Sequence, residues 1–173
     1  MGTYEWLQEL LRKSYKFEES DSYGESYKPP GGKPEMREVW MDRCVGEWKS
    51  YRRYLYGGEK KVVDNLITEF RSSALNDGWL IEWESDRGKG SMELTVEGEW
   101  LHRSRGYYTE EPTSSRMEVI DNDTIVFWSS YGGMDYREEI RFLDGDSHRL
   151  RQTVGMRDGV VAIVGQYFEE RVS

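Results

Sequence analysis

The 173-residue chain has little of several features that would assign it to a common class of protein. It contains one cysteine, Cys44, so no intramolecular disulfide can form and we expect a reducing, intracellular compartment. It lacks any run near the ~20 apolar residues that span a bilayer. Its first residues include Glu5 and Glu9 where a signal peptide would have a basic start. We therefore expect a soluble protein with no membrane span.

Basic and metal-binding residues are also scarce. The 24 Lys and Arg residues are outnumbered by 33 Asp and Glu residues, which gives a formal net charge of −9. A nucleic acid partner is not expected, because neutralising phosphates needs a surplus of cations. The two histidines, His102 and His148, have no metal-like spacing with each other or with Cys44, so no metal site is predicted.

The N-terminal part of the chain differs in composition from the rest. Apolar residues at helical spacing predict a short amphipathic helix over Tyr4–Phe17, and the acidic, Pro- and Gly-rich segment Glu18–Lys33 is typical of a linker. A second helix is predicted to begin near Pro34 and to end by Gly46. We expect residues 1–35 to form an N-terminal helix and linker, and residues 36–173 to form the main domain.

From Gly46 onward the apolar pattern changes to a period of two, and β-rich runs are separated by turns that contain Gly, Asp and Asn. About ten strands are predicted, over Glu47–Tyr56, Lys61–Arg71, Trp79–Ser85, Ser91–Val96, Glu99–Tyr107, Ser115–Ile120, Thr124–Ser130, Asp135–Leu143, His148–Gly155 and Val160–Arg171. This pattern predicts a mainly β fold, an antiparallel up-and-down barrel. Closure removes the exposed edges, and barrels of this size hold one small ligand.

Several predicted strands have polar residues on both faces. Alternation places Arg149 and Arg151 on one face of their strand, and Tyr167 and Glu169 on one face of the next. If a third strand is adjacent, Glu139 could point toward them. One interpretation is a solvated outer face with cross-strand salt bridges, because Arg and Glu are rarely buried. The other is a polar barrel interior whose arginines bind the carboxylates of an anionic ligand.

Aromatic residues in the predicted strands also have two interpretations, since they could clamp a flat conjugated molecule or simply pack within the sheet. They are Trp48, Trp79, Trp83, Trp100, Trp128, Tyr51, Tyr107, Tyr108 and Tyr167.

Six segments in order along the chain resemble the S/U-type phycobiliprotein lyases, lipocalin-like proteins that attach linear tetrapyrroles (bilins) to cysteines of phycobiliproteins. The segments are Gly46–Tyr56 (GEWKSYRRYLY), Gly90–Leu94 (GSMEL), Leu101–Tyr108 (LHRSRGYY), Tyr136–Phe142 (YREEIRF), His148–Gly155 (HRLRQTVG) and Gly165–Val172 (GQYFEERV). The resemblance implies a ten-stranded calycin-type barrel and favours the polar-interior interpretation. Two departures are Leu94, at a position where the family sometimes has tryptophan, and the N-terminal 35 residues, which have no counterpart in the family pattern.

The resemblance also implies functional residues. The predicted bilin-binding residues are Arg52, Met92, Trp100, Arg149, Arg151 and Tyr167, and the predicted catalytic carboxylates are Glu139 and Glu169. The arginines would neutralise the two propionates, and a glutamate would favour a protonated bilin that a thiolate of the partner attacks more readily.

The implied activity is that of a chromophore lyase, an enzyme that forms a carbon–sulfur bond. Its substrate would be phycocyanobilin or phycoerythrobilin with no permanently bound cofactor, and its partner an apo-phycobiliprotein subunit in the cytoplasm or a plastid stroma. Whether it acts alone, as a homodimer or with a related lyase subunit stays open. The alternatives are a non-catalytic carrier of a bilin or another small ligand, and an assembly chaperone of a photosynthetic antenna subunit.

Overall fold

The computed structural model describes residues 34–57, 61–86, 88–106 and 109–173. The predicted helix Tyr4–Phe17 and the linker Glu18–Lys33 lie outside the described residues. One helix, α1 (Pro34–Asp42), is present within the described part of the chain, and it begins at Pro34 as predicted. No helix there is long and apolar enough to cross a membrane.

Ten antiparallel strands follow α1 and form a closed barrel. They are β1 (Gly46–Tyr56), β2 (Lys61–Leu75), β3 (Gly78–Ser85), β4 (Gly88–Glu97), β5 (Trp100–Arg103), β6 (Thr113–Val119), β7 (Thr124–Tyr131), β8 (Met134–Leu143), β9 (His148–Arg157) and β10 (Val160–Arg171). Each strand pairs with its neighbours in sequence, and β1 pairs with β10 to close the sheet. The predicted up-and-down barrel of about ten strands is confirmed.

Two of the hairpins depend on residues that tolerate a left-handed backbone. Between β7 and β8, Gly132 and Gly133 have φ of 62° and 71°, and between β9 and β10, Asp158 and Gly159 have φ of 51° and 74°. Two consecutive residues with positive φ form the turn that matches the twist of a two-residue hairpin. These turns begin the pairing of β7 with β8 and of β9 with β10, and the second pairing shifts register between Val161 and Ile163.

Helix α1 closes one end of the barrel. The ring of Trp40 enters the core, with its centroid 4.9 Å from that of Phe142 and 6.4 Å from that of Phe127. Just after the helix, the backbone carbonyl of Cys44 accepts a 2.9 Å hydrogen bond from Nε1 of Trp48. Cys44 itself is buried, and burial raises the pKa of its thiol.

Arg43 ties α1 to the loops at this end of the barrel. Its Nε donates to Oδ2 of Asp146 at 3.0 Å in the β8–β9 loop, and its Nη2 donates to Oδ1 of Asp123 at 2.8 Å in the β6–β7 loop. The guanidinium also stacks on Phe142, 4.4 Å from the ring centroid. One side chain therefore joins the helix to two loops.

Candidate ligand-binding cavity

The barrel encloses a cavity of about 200 Å³. At the α1 end it is lined by Trp40, Met41 and Cys44. At the opposite end it is lined by tyrosines that include Tyr54 and Tyr131, both partly exposed. The cavity is thus closed by the helix at one end and bordered by hydroxyl-bearing rings at the other.

Four arginines line this otherwise mostly apolar cavity, and we call them the arginine cluster: Arg52, Arg103, Arg149 and Arg151. Among the described lining residues the single acid is Glu138. A second acid, Glu169, is fully buried next to the cavity on the same face of β10 as Tyr167, and it accepts a hydrogen bond from Arg149. Four cations against two anions give this interior a formal charge of +2, the reverse of the chain's net charge of −9.

Two members of the cluster are held on either side of one tyrosine. Arg52 on β1 lies directly opposite Tyr167 on β10, and Tyr167 lies directly opposite Arg151 on β9. Each guanidinium carbon is 5.2 Å from the centroid of the Tyr167 ring. The ring is accommodated by Gly165, where a Cβ would be 2.4 Å from the Tyr167 hydroxyl. The backbone positions of the two arginines therefore lie about two strand spacings, roughly 10 Å, apart.

Arg149 and Glu169 form a buried ion pair at the α1 side of the cavity. Nε of Arg149 donates to Oε2 of Glu169, and Ser50 Oγ donates to Oε1 at 2.9 Å. The Arg149 guanidinium also lies 4.2 Å from the centroid of a Trp48 ring. Burial disfavours the charged carboxylate, but Arg149 with the nearby Arg151 and Arg52 holds the pKa of Glu169 below its ordinary value. Glu169 is therefore an ionised carboxylate that fixes Arg149.

Glu138 bridges two other members of the cluster. Its Oε1 accepts from Arg151, and its Oε2 lies 3.6 Å from Nη2 of Arg103. Arg103 also donates to Ser115 Oγ on the neighbouring strand β6. Arg103 and Arg151 reach Glu138 from different sides of the barrel. The position of the Glu138 carboxylate therefore shows where both guanidinium groups can bind one carboxylate.

The prediction for Glu139 is wrong in its placement. Glu139 lies on the outer face of β8, where its Oε2 accepts from Nη2 of Arg137 at 2.7 Å and its Oε1 is 3.8 Å from Arg141. Side chains alternate along β8, and the buried Ile140 and Phe142 mark the inner face, which Glu138 shares. Alternation separated the two faces of β8 correctly. The face that contains Glu139 was taken as the inner one, but the inner face is the one that contains Glu138.

Comparison with known proteins assigns the chain to a family. The family model described as "CpeS-like protein" matches residues 91–172. CpcV of Picosynechococcus sp. strain PCC 7002, named as a chromophore lyase, is 31% identical over 168 residues, which cover 80% of this chain and 83% of CpcV. The chain belongs to the CpeS-like family of S/U-type phycobiliprotein lyases.

Two further comparisons agree with this family. CpcS 2 of Nostoc sp. strain PCC 7120, named as a phycocyanobilin lyase, is 28% identical over 161 residues, 77% of this chain and 89% of CpcS 2. The structure of the S-type phycobiliprotein lyase CPES from Guillardia theta superposes with a TM-score of 0.60 at 17% identity, covering 79% of this chain and 93% of CPES. The latter likeness supports the lipocalin-like fold of the family.

The other predicted site residues of this CpeS-like chain fall into two groups, those that line the cavity and those that do not. Arg52, Arg149, Arg151 and Tyr167 line the cavity. Met92 is buried in the core but is not among the described residues that line the cavity, whereas Leu94, two residues along β4, does line it.

Trp100 is a third predicted site residue that does not line the cavity, after Glu139 and Met92. It is 44% exposed at the start of β5, on the face opposite to the inward-pointing Leu101 and Arg103. Alternation along β5 explains the difference, because the two buried side chains of this short strand fix its inner face. The structure therefore places Trp100 outside the lining of the cavity, and its contact with a ligand stays a prediction.

The predicted aromatic clamp is divided among three environments. Trp83 and Tyr167 line the cavity, and Trp48 and Trp79 belong to the buried core. Trp128 and Tyr51 are exposed on the outer surface. Tyr107 and Tyr108 lie outside the described residues.

Arg103 and Glu138 are the two charged residues of the cavity lining that the sequence analysis missed. The signal for Glu138 was present, since Ile140 and Phe142 follow it at a spacing of two. Arg103 follows the apolar Leu101 at the same spacing, but β5 is only four residues long and gives too short an alternation to assign a face.

Proposed function

We propose that this chain binds a bilin in the barrel cavity and attaches it through a thioether bond to a cysteine of an apo-phycobiliprotein subunit. The observation that supports this most strongly is the interior charge of +2 formed by the arginine cluster with Glu138 and Glu169. A bilin carries two propionates, so the bound ligand would neutralise this charge. The relatives named as chromophore and phycocyanobilin lyases support the same class of ligand.

Arg52 and Arg151 are well placed to bind the two propionates of a bilin. A guanidinium binds a carboxylate through paired hydrogen bonds that are about twice as strong as neutral ones. These two groups stand on opposite sides of the Tyr167 ring. A tetrapyrrole in the cavity would reach both cations with its two propionates, one on each side of this ring.

The size of the cavity suggests how the reactive end stays accessible. Pockets that hold drug-sized ligands measure roughly 300–1,000 Å³, and this cavity measures about 200 Å³. A bilin would therefore extend from the cavity past Tyr54 and Tyr131, away from the end that α1 closes. This arrangement leaves one terminal ring within reach of a thiol on a partner protein.

Glu138 replaces Glu139 in the proposed chemistry, because Glu138 lines the cavity. Its carboxylate would hydrogen-bond the pyrrole nitrogens and favour their protonation. The partner's thiolate adds to the ethylidene carbon of ring A, a carbon–sulfur bond forms, and the electron pair of the broken π bond takes up a proton. Glu169 acts as a positioning residue through Arg149. No oxidant or reductant is required.

The experiment is an absorption and fluorescence titration of the full chain with phycocyanobilin and with phycoerythrobilin. Each complex is then incubated with an apo-phycobiliprotein subunit and run on a denaturing gel stained with zinc. We expect saturable binding and a coloured covalent band on the subunit. Binding without that band would contradict attachment and favour a carrier, and no binding would contradict the proposal as a whole.

A matched pair of variants tests the arginine cluster directly. Arg151→Ala removes a cavity-lining guanidinium, and Arg141→Ala removes one from the outer face of the neighbouring strand β8. We expect Arg151→Ala to weaken bilin binding by about 10- to 100-fold, the value of one charge-assisted hydrogen-bonded pair. Arg141→Ala is expected to bind like the wild type.

A further inference from the structure

One buried polar group at the closed end of the cavity has no hydrogen-bond partner. Trp40 is 2% exposed, and it lines the cavity together with Met41 and Cys44. Its ring N–H is itself buried, and no acceptor among the described residues lies within hydrogen-bond distance of Nε1. Buried tryptophans usually bond this group to an acceptor, so an unsatisfied donor in a folded core is unusual.

The two other buried tryptophans of the described core satisfy their ring N–H groups. Nε1 of Trp48 donates to the carbonyl of Cys44 at 2.9 Å, and Nε1 of Trp79 donates to Oδ1 of Asp42 at 3.0 Å. Neither Trp48 nor Trp79 is among the described residues that line the cavity. The unsatisfied donor therefore belongs to the one of these three tryptophans that a ligand in the cavity can reach.

The surroundings of Trp40 decide which kind of acceptor suits this donor. Met41 is apolar, and burial raises the pKa of the Cys44 thiol, so that the thiol stays neutral near pH 7. Arg149, the cation on this side of the cavity, is already paired with Glu169. A ligand carboxylate here would lose its hydration without gaining a free counterion. This end of the cavity therefore suits a neutral, flat group that has a carbonyl oxygen.

We propose, on the basis of the function proposed above, that Trp40 is a positioning residue whose Nε1–H donates to the lactam carbonyl of the terminal bilin ring that enters the closed end of the cavity. Each terminal ring of a bilin is a neutral, flat lactam, and the propionates are on the two inner rings. The ligand class that satisfies both the arginine cluster and Trp40 is therefore a linear tetrapyrrole with a terminal lactam.

The positions along the barrel agree with this division of the ligand. Arg52 is four residues along β1 from Trp48, which is bonded to Cys44 at the α1 end, and this distance is roughly 13 Å along the strand. Propionates at Arg52 and Arg151 thus leave room for one terminal ring on the side of Trp40. That ring is ring D, because the ethylidene of ring A must face the open end, where the partner's thiol arrives.

Titration of the folded full-chain variants with phycocyanobilin tests the role of Trp40. Trp40→Phe removes the donor and keeps an aromatic ring, so we expect the dissociation constant to rise about 3- to 10-fold, the effect of one neutral hydrogen bond. Trp79→Phe is the matched control. It breaks the bond to Asp42 and should lower the urea midpoint of unfolding, but it should leave bilin affinity unchanged. Equal affinities for the wild type and Trp40→Phe would overturn the proposal.

Infrared difference spectra of the complexes provide a readout that a purely structural role would not change. A hydrogen bond lowers the stretching frequency of a carbonyl, so we expect a lower lactam frequency in the wild type and Trp79→Phe than in Trp40→Phe. If Trp40→Phe does not fold, the wild-type complex is compared with phycocyanobilin in an aprotic solvent. A lactam band that is not lowered would overturn this proposal alone, whereas a wild-type chain that binds no bilin would contradict the proposed function as well.

Discussion

Adjacent glutamates on β8 have opposite environments, and this difference can be measured at the level of single residues. Glu138 lies between Arg103 and Arg151 in the cavity, whereas Glu139 pairs with arginines on the outer face. A change of Glu to Gln keeps the shape of the side chain and removes its charge. The pair of variants therefore separates a role in the cavity from a role on the surface.

We predict that Glu138→Gln binds bilin at least as tightly as the wild type, because the formal interior charge rises from +2 to +3. Its rate of thioether formation should fall by about 100-fold, within the range for loss of a general acid or base. Glu139→Gln should match the wild type in both. Adduct formation followed by absorbance checks this, and equal rates for the two variants would remove Glu138 from the mechanism.

The buried pair of Arg149 and Glu169 predicts a dependence of stability on pH. Because the folded-state pKa of Glu169 lies below the ordinary value of 4.5, its contribution to stability is complete above that pH and is lost as the pH falls through the lower folded value. We expect urea unfolding to show a free energy that declines below about pH 4.5. Glu169→Gln should cost about 3–5 kcal/mol at pH 7, since it leaves Arg149 buried without its anion.

Glu169→Gln should also make the decline of stability in acid shallower. A decline as steep as that of the wild type would show that other carboxylates cause the acid sensitivity. Asp146, whose pKa Arg43 holds below its ordinary value, is the carboxylate to test next.

At the scale of elements, the strands were more predictable than the face each presents inward. Val160–Arg171 was predicted for β10 and observed, because the apolar run Val160–Val164 continues into an alternating segment and a two-residue turn precedes it. The strand predicted over Glu99–Tyr107 is observed only as Trp100–Arg103. Ser104 N still donates to the carbonyl of Glu93 on β4, but the ladder ends there. Alternating residues do not show where a strand leaves the sheet.

Gly165 in β10 gives a prediction about the position of Tyr167. A Cβ at residue 165 would lie 2.4 Å from the Tyr167 hydroxyl and 2.9 Å from Cζ, so Gly165→Ala must displace the ring from between Arg52 and Arg151. We expect a loss of about 1–3 kcal/mol of stability in thermal unfolding, together with weaker bilin binding. Adding Tyr167→Phe removes the nearest atom and should recover part of the stability. No recovery would show that the strain lies elsewhere.

Helix α1 gives a second prediction at this scale. Trp40 is buried against Phe127 and Phe142, while Val39 beside it is exposed. Trp40→Ala should destabilise the barrel by about 3–5 kcal/mol, as for other large-to-small core changes. Val39→Ala should stay within about 0.5 kcal/mol of the wild type. Similar losses of unfolding free energy for both variants in urea would contradict the role of α1 in closing one end of the barrel.

At the scale of the whole molecule, the interior and the exterior have opposite charge. The chain is acidic overall at −9, yet the cavity with its adjoining Glu169 has a formal charge of +2. Composition predicted the acidic whole, and the number of strands predicted the closed barrel. The grouping of Arg52, Arg103, Arg149 and Arg151 required the register between strands far apart in sequence, which no local pattern contains.

The most direct measurement of this charge match compares the affinity of the full chain for phycocyanobilin with that for its dimethyl ester. The ester has the same conjugated system but lacks both carboxylates. Charge-assisted hydrogen bonds contribute about 1.5–3 kcal/mol each, so we predict that the ester binds at least ~100-fold more weakly. Equal affinities would show that the arginine cluster does not bind the propionates and would contradict the proposed site.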